Sequence, residues 1–139
     1  MPIPNPNPLQ MQTADKLWVV ALRVARGQIV ATLAPWDGQF LAGGPSQWRT
    51  VRATLADDAG ARGAWAPVAA ALSRLAGRQD APEMVSVQAA RPGARASVLA
   101  RWADGGQYII GDMFAAVAGD AALAAAYGAA MAWIAEEVR

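Results

Sequence analysis

The chain has 139 residues, a formal net charge of +1, a hydrophobic fraction of 55% and a charged fraction of 17%. That is the length of one ordinary domain, with enough apolar side chain for a core and without the electrostatic footprint of a nucleic-acid-binding protein. Cysteine and histidine are both absent, which excludes disulfides, thiol chemistry, serine–histidine pairs and histidine metal ligands, and leaves no side chain that ordinarily titrates near neutral pH.

Residues 1–13 carry alternating prolines, which favour an extended, polyproline-like arm. This stretch has no basic region followed by an apolar run, so it does not read as a secretory signal. A single α+β domain is expected over 14–139. Residues 17–24 and 28–34 are rich in β-branched and aromatic side chains and predict two strands joined by a tight turn at Arg26-Gly27. A helix over 13–25 is the competing assignment for the first of them, because short apolar runs fit both periods. Asp37-Gly38 is a turn dipeptide, and 39–42 reads as a third short strand.

Gly43, Gly44 and Pro45 end that pattern, and Ser46 is placed to cap a helix over 47–58, with Trp48, Val51 and Leu55 on one face. Gly60 and Gly63 then interrupt the helical pattern. A second helix is expected from Pro67, with Val68, Leu72 and Leu75 as its apolar stripe and Gly77 as its stop. Asp80-Ala81-Pro82 reads as a linker. Strands are expected at 84–90, 96–103 and 107–110, forming an antiparallel meander with turns at 91–94 and 104–106. A short helix at 113–118 and a long one from the Asp120 cap to about Val138 complete the chain.

The expected fold is α+β: an antiparallel sheet, made of the C-terminal meander and the N-terminal hairpin, packed with three to four helices. The order of elements is loosely similar to that of profilin-type and roadblock-type domains. That likeness is one of order alone and rests on no motif.

Candidate sites follow from unusual residues. The last helix has a stripe of Leu123, Tyr127, Met131, Ile134 and Val138, and its other side is small and apolar rather than charged. Ala121, Ala125, Gly128 and Ala132 are therefore expected to meet a second helix, within the domain or in another copy. Six tryptophans stand against two tyrosines and two phenylalanines. Trp48 and Trp102 lie in patterned segments and are expected in the core, whereas Trp36, Trp65 and Trp133 are interface candidates. Gly43, Gly44 and Ser46 would place free N–H groups at a helix start, a weak anion site without the lysine of a phosphate loop.

Asp37, Asp57, Asp58, Asp104, Asp112 and Asp120 sit at turns or helix ends, where turn and cap duty accounts for them without catalysis. Lys16 is the only lysine, so a serine–lysine pair with Ser46 or Ser73 has no supporting motif. Arg91, Arg95 and Arg101 decorate one hairpin, a solvated face or a contact for a carboxylate- or phosphate-bearing partner.

These features favour a non-enzymatic interaction or assembly protein whose partner is a second copy or another protein. A phage or mobile-element structural or accessory protein fits the profile. No cofactor, metal, nucleic acid or membrane partner is expected, and a cytoplasmic location is. The alternative is a small-molecule-binding domain or small enzyme with Asp, Arg and Trp in its pocket.

Overall fold

The computed structural model describes residues 12–13, 17–35, 48–88 and 96–138. Chain order gives β1 (Gln12–Thr13), β2 (Leu17–Ala25), β3 (Gln28–Pro35), β4 (Arg49–Thr54), α1 (Ala59–Leu75), β5 (Met84–Gln88), β6 (Ser97–Arg101), β7 (Gln107–Ile110), α2 (Met113–Ala118) and α3 (Ala121–Glu137). The sheet runs β4-β3-β2-β5-β6-β7, with β1 also paired to β2. Every pairing is antiparallel. The α+β class is the expected one.

The apolar run 17–25 is a strand, not a helix. It turns into β3 through Arg26 and Gly27, both at positive φ (53° and 73°). Two left-handed residues make the turn whose twist matches that of the flanking strands, and glycine takes one of them without steric cost. A register shift between Val19 and Ala21 marks a bulge in β2.

The helix expected over 47–58 is corrected: residues 49–54 form strand β4, paired along its length with β3. Thr50, Val51 and Thr54 are β-branched and suit a pleated surface, and only Val51 of the six is buried. The helical spacing of Trp48, Val51 and Leu55 was a coincidence of short range. The second helix is also corrected. It starts at Ala59, capped by Asp58, whose carboxylate accepts the Ala61 N–H at 3.0 Å. Gly60, Gly63 and Pro67 therefore lie inside α1. Gly63 and Pro67 are both exposed, so the Gly63 carbonyl, which cannot receive a proline N–H, faces water. Gly77 does stop the helix, at φ 69°.

The expected meander is present as β5, β6 and β7. The proposed strand at 39–42, the Ser46 cap and the arm over residues 1–11 lie outside the described residues. Gln12–Thr13, at the end of that arm, pair with β2.

All three helices pack on one face of the sheet in a single core. The sheet contributes Leu22, Val24, Ile29, Leu33, Val51, Val85, Val87 and Val98; α1 adds Val68 and Leu72; α3 adds Leu123, Tyr127, Met131 and Ile134. Burying each such large side chain is worth about 1.5–3 kcal/mol. Asp58, Asp112 and Asp120 cap the three helices through the N–H of Ala61, Ala115 and Leu123. Arg74, in the last turn of α1, reaches Asp120 at the start of α3 with a 2.6 Å contact. A cation at a helix C-terminus and an anion at a helix N-terminus each suit the local dipole.

Candidate interaction surface

With the helices on one side, the other face of the sheet is exposed over part of its area, while Met84, Trp18 and Ala34 on it are buried. Cross-strand register orders its side chains into rows. One row crosses all six main strands: Arg52 faces Val30, Val30 faces Arg23, Arg23 faces Ser86, Ser86 faces Leu99 and Leu99 faces Ile109. The next row is Thr54, Gln28, Ala25, Met84, Arg101 and Gln107. On the other side lies a row of Thr50, Thr32, Ala21, Gln88 and Ser97. Strand spacing of about 4.8 Å makes a six-strand row about 24 Å long.

These rows contain three arginines and no aspartate or glutamate. Arg23, Arg52 and Arg101 are exposed. Among the described residues they take part in none of the side-chain hydrogen bonds or ion pairs that tie Arg74 and Arg78. Leu99 and Ile109 lie at the β6–β7 end, beside Arg101, and Ile109 is 67% exposed, the exposed large hydrophobic residue of the described chain. A shallow hollow of about 300 Å³ at the β2–β3 hairpin, lined by Arg23, Ala25, Arg26, Gln28 and Val30, lies on this face. Arg52 also lines a second hollow at the β4 edge, together with Arg49 and the acidic Glu137.

A second concave surface follows the outside of α1. It is an open, mostly apolar groove of about 820 Å³ between Leu55, Trp65, Ala69 and Ala70 on one side and the 77–82 linker on the other. Most of its polar groups are already committed. The Ser73 hydroxyl and the Trp102 indole N–H both donate to the Asp80 carbonyl at 2.9 Å. Arg78 forks onto Asp80 through two 3.1 Å contacts and reaches Asp104 at 2.6 Å. Its guanidinium also lies 5.1 Å from the Trp102 ring centroid. Hydrogen bonds from Arg78 hold the Asp80 and Asp104 carboxyls below the usual carboxylate range, and one from Arg74 does the same for Asp120. This cluster pins the linker to β6. It leaves no free acid or base aimed into the groove.

Among the described residues, no three carboxylates gather as a metal site would require, and no helix is long and apolar enough to cross a membrane.

The residues singled out by sequence are scattered. On α3, Ala121, Ala125 and Ala132 are exposed and Gly128 is half-buried, while the stripe Leu123, Tyr127, Met131 and Ile134 is buried in the core. Trp133 is half-buried beside Gly60 of α1, and Trp65 is 8% exposed at the wall of the groove. Trp102 is buried, as expected; Trp48 is half-buried. Trp36, Gly43, Gly44, Ser46, Asp37, Lys16, Arg91 and Arg95 lie outside the described residues. Sequence reasoning missed Arg23 and Arg52. The alternation Leu22-Arg23-Val24 held the signal for the first, with buried residues flanking an exposed one, but Arg52 was hidden by the helical assignment.

Fold and surface together define a helix-backed antiparallel sheet with one face partly open. Comparison of the chain with known protein families, with curated proteins and with solved structures finds no match.

Proposed function

We propose that this domain is a non-enzymatic protein–protein interaction module. The observation that carries the reading is the sheet face away from the helices, where Ile109 is exposed and its cross-strand partner Leu99 is half-buried beside it. A sheet that buries one face and leaves large apolar side chains on the other has a surface suited to a partner. Five of the nine described carboxylates support the same reading, since Asp58, Asp80, Asp104, Asp112 and Asp120 are engaged in caps and ion pairs. The reading extends to α3, whose exposed strip of Ala121, Ala125 and Ala132 suits close contact with a helix of a second copy.

The test is site-specific photo-crosslinking in the producing cell, with p-benzoylphenylalanine placed at position 109, at position 125 and, as a control, at the exposed position Arg62. Discrete crosslinked species from positions 109 or 125, and none from the control, are the expected result. Equal or absent crosslinking at all three positions would remove the reading. The α1 groove favours small-molecule binding as a second reading, since its volume suits a ligand site. A thermal-shift screen of small metabolites, repeated on Trp65→Ala, tests it.

A further inference from the structure

We propose that the open sheet face docks an acidic, amphipathic polypeptide segment of a partner protein, with its carboxylates over Arg52 and Arg23 and its apolar side chains over Leu99 and Ile109. This inference rests on the reading of the domain as an interaction module and names the chemistry of the partner. The row from Arg52 to Ile109 is polarised: two guanidinium groups stand at one end and two apolar side chains at the other. Arg101, in the adjacent row, stands on β6 two residues from Leu99, so a third cation flanks the apolar end. Arginine presents a planar fork that fits a carboxylate through two parallel hydrogen bonds. The described rows offer no carboxylate of their own, although Glu137 shares a hollow with Arg52 at the β4 edge, so an acidic segment laid across the rows would meet cations that no carboxylate there pairs.

Other occupants fit less well. A second copy would bring the same arginines and no acid, which would desolvate cations without partners. Single-stranded nucleic acid is usually held by base stacking on exposed aromatic rings. The exposed residues of these rows include none. An anionic membrane attracts denser clusters of basic residues than three arginines spread over a sheet. The row length of about 24 Å accommodates about seven extended residues or about sixteen helical ones.

The experiment measures binding of the full chain by fluorescence anisotropy. The probe is a labelled peptide with glutamates in its first half and alternating leucine and threonine in its second. Controls are the same peptide with lysine for glutamate, an oligouridine RNA, and phosphatidylcholine vesicles with and without phosphatidylserine. The expected result is binding of the acidic peptide that weakens with added salt. It falls about tenfold or more in Arg23→Glu/Arg52→Glu, as loss of steering and paired charge requires. Ile109→Thr lowers affinity without changing the salt dependence. Equal binding of the lysine peptide, preference for RNA or for phosphatidylserine vesicles, or failure of the acidic peptide to bind overturns the proposal. Circular dichroism of each variant shows that the sheet has survived. If the acidic peptide fails while position 109 still crosslinks to a protein in cells, the acidic partner falls and the interaction module stands. If both fail, both fall.

Discussion

Gly60 of α1 and Trp133 of α3 touch where the two helices cross: a Cβ built on Gly60 would stand 2.9 Å from Trp133 Nε1 and 3.3 Å from Asp58 Oδ1. The absence of a side chain at position 60 is what lets the indole lie against the first turn of α1. Gly63, one turn on, has nothing within 4 Å of its corresponding position.

The two glycines should therefore respond oppositely to alanine. Gly63→Ala gains helix propensity with no clash and should raise stability by about 0.5–1 kcal/mol. Gly60→Ala gains the same propensity but must displace a rigid indole, and overpacking of this kind costs about 1–3 kcal/mol. A lower melting temperature for Gly60→Ala and a higher one for Gly63→Ala is the expected pair of outcomes. Thermal denaturation of both proteins decides it, and equal shifts would mean that the contact with Trp133 is not close.

Tyr127 is 1% exposed and its hydroxyl has no hydrogen-bond partner among the described residues. Burial pushes its phenol pKa upward, so the group stays neutral. An unsatisfied buried hydroxyl is a cost that phenylalanine removes while keeping the ring. Tyr127→Phe should leave stability unchanged or raise it by about 1 kcal/mol. Chemical denaturation with an unchanged m-value checks this, and a loss larger than about 1 kcal/mol would show that the hydroxyl is bonded.

The Asp80, Asp104 and Asp120 carboxyls are held below their usual range by arginine hydrogen bonds. Their contribution is complete above the unfolded-state value of about 3.9 and is lost as pH falls through the lower folded values. In that window the unfolded chain binds more protons, so stability falls on acidification. Arg78→Gln should flatten this dependence below about pH 4, because Asp80 and Asp104 lose the partner that depresses them. Melting temperatures across the acid range for both proteins test the point, and parallel curves would show that Arg78 sets neither pKa.

On α3, Ala125 and Ala132 are exposed, so leucine at both should change the stability of the isolated chain by no more than about 0.5 kcal/mol per site. The interaction reading expects Ala125→Leu/Ala132→Leu to lower the mass in solution, because isobutyl groups prevent close helix contact between copies. Light scattering after gel filtration reads the mass directly. A wild-type monomer, or an oligomer that the substitutions leave intact, would take the α3 strip out of the interface.

Leu72 is fully buried between α1 and the sheet, whereas Leu99 is half-buried on the open face. Leu72→Ala should cost about 2–5 kcal/mol, the range for a cavity in a packed core. Leu99→Ala should cost far less and act on partner binding instead. Denaturant titration of both variants separates the two roles, and equal losses would mean that the face around Leu99 is covered.

Local chemistry was sufficient wherever a segment's own residues decided its state. The Arg26-Gly27 turn, the three-strand meander, the Asp120 cap and the core stripe of α3 were legible, because each rests on contacts within a few residues or on a long periodic pattern; the run 17–25 fitted both strand and helix, and its pairing with β3 and β5 decided it. The sequence also determined what chemistry is absent, since a chain without histidine or cysteine cannot use either. Residues 49–54 were different. Their apolar spacing fits a helix over one turn, and only pairing with β3 makes the strand the better state, a contact that reaches back to Gln28 through Leu33. Gly60 and Gly63 read as breaks because glycine is a poor helix former, yet the Asp58 cap and packing against Trp133 outweigh that penalty. The arginine row has the same origin: Arg52, Arg23 and Arg101 are far apart in the chain, and antiparallel register alone sets them on one open face. Tertiary structure decided that surface because it depends on which strands lie side by side, which no local propensity encodes.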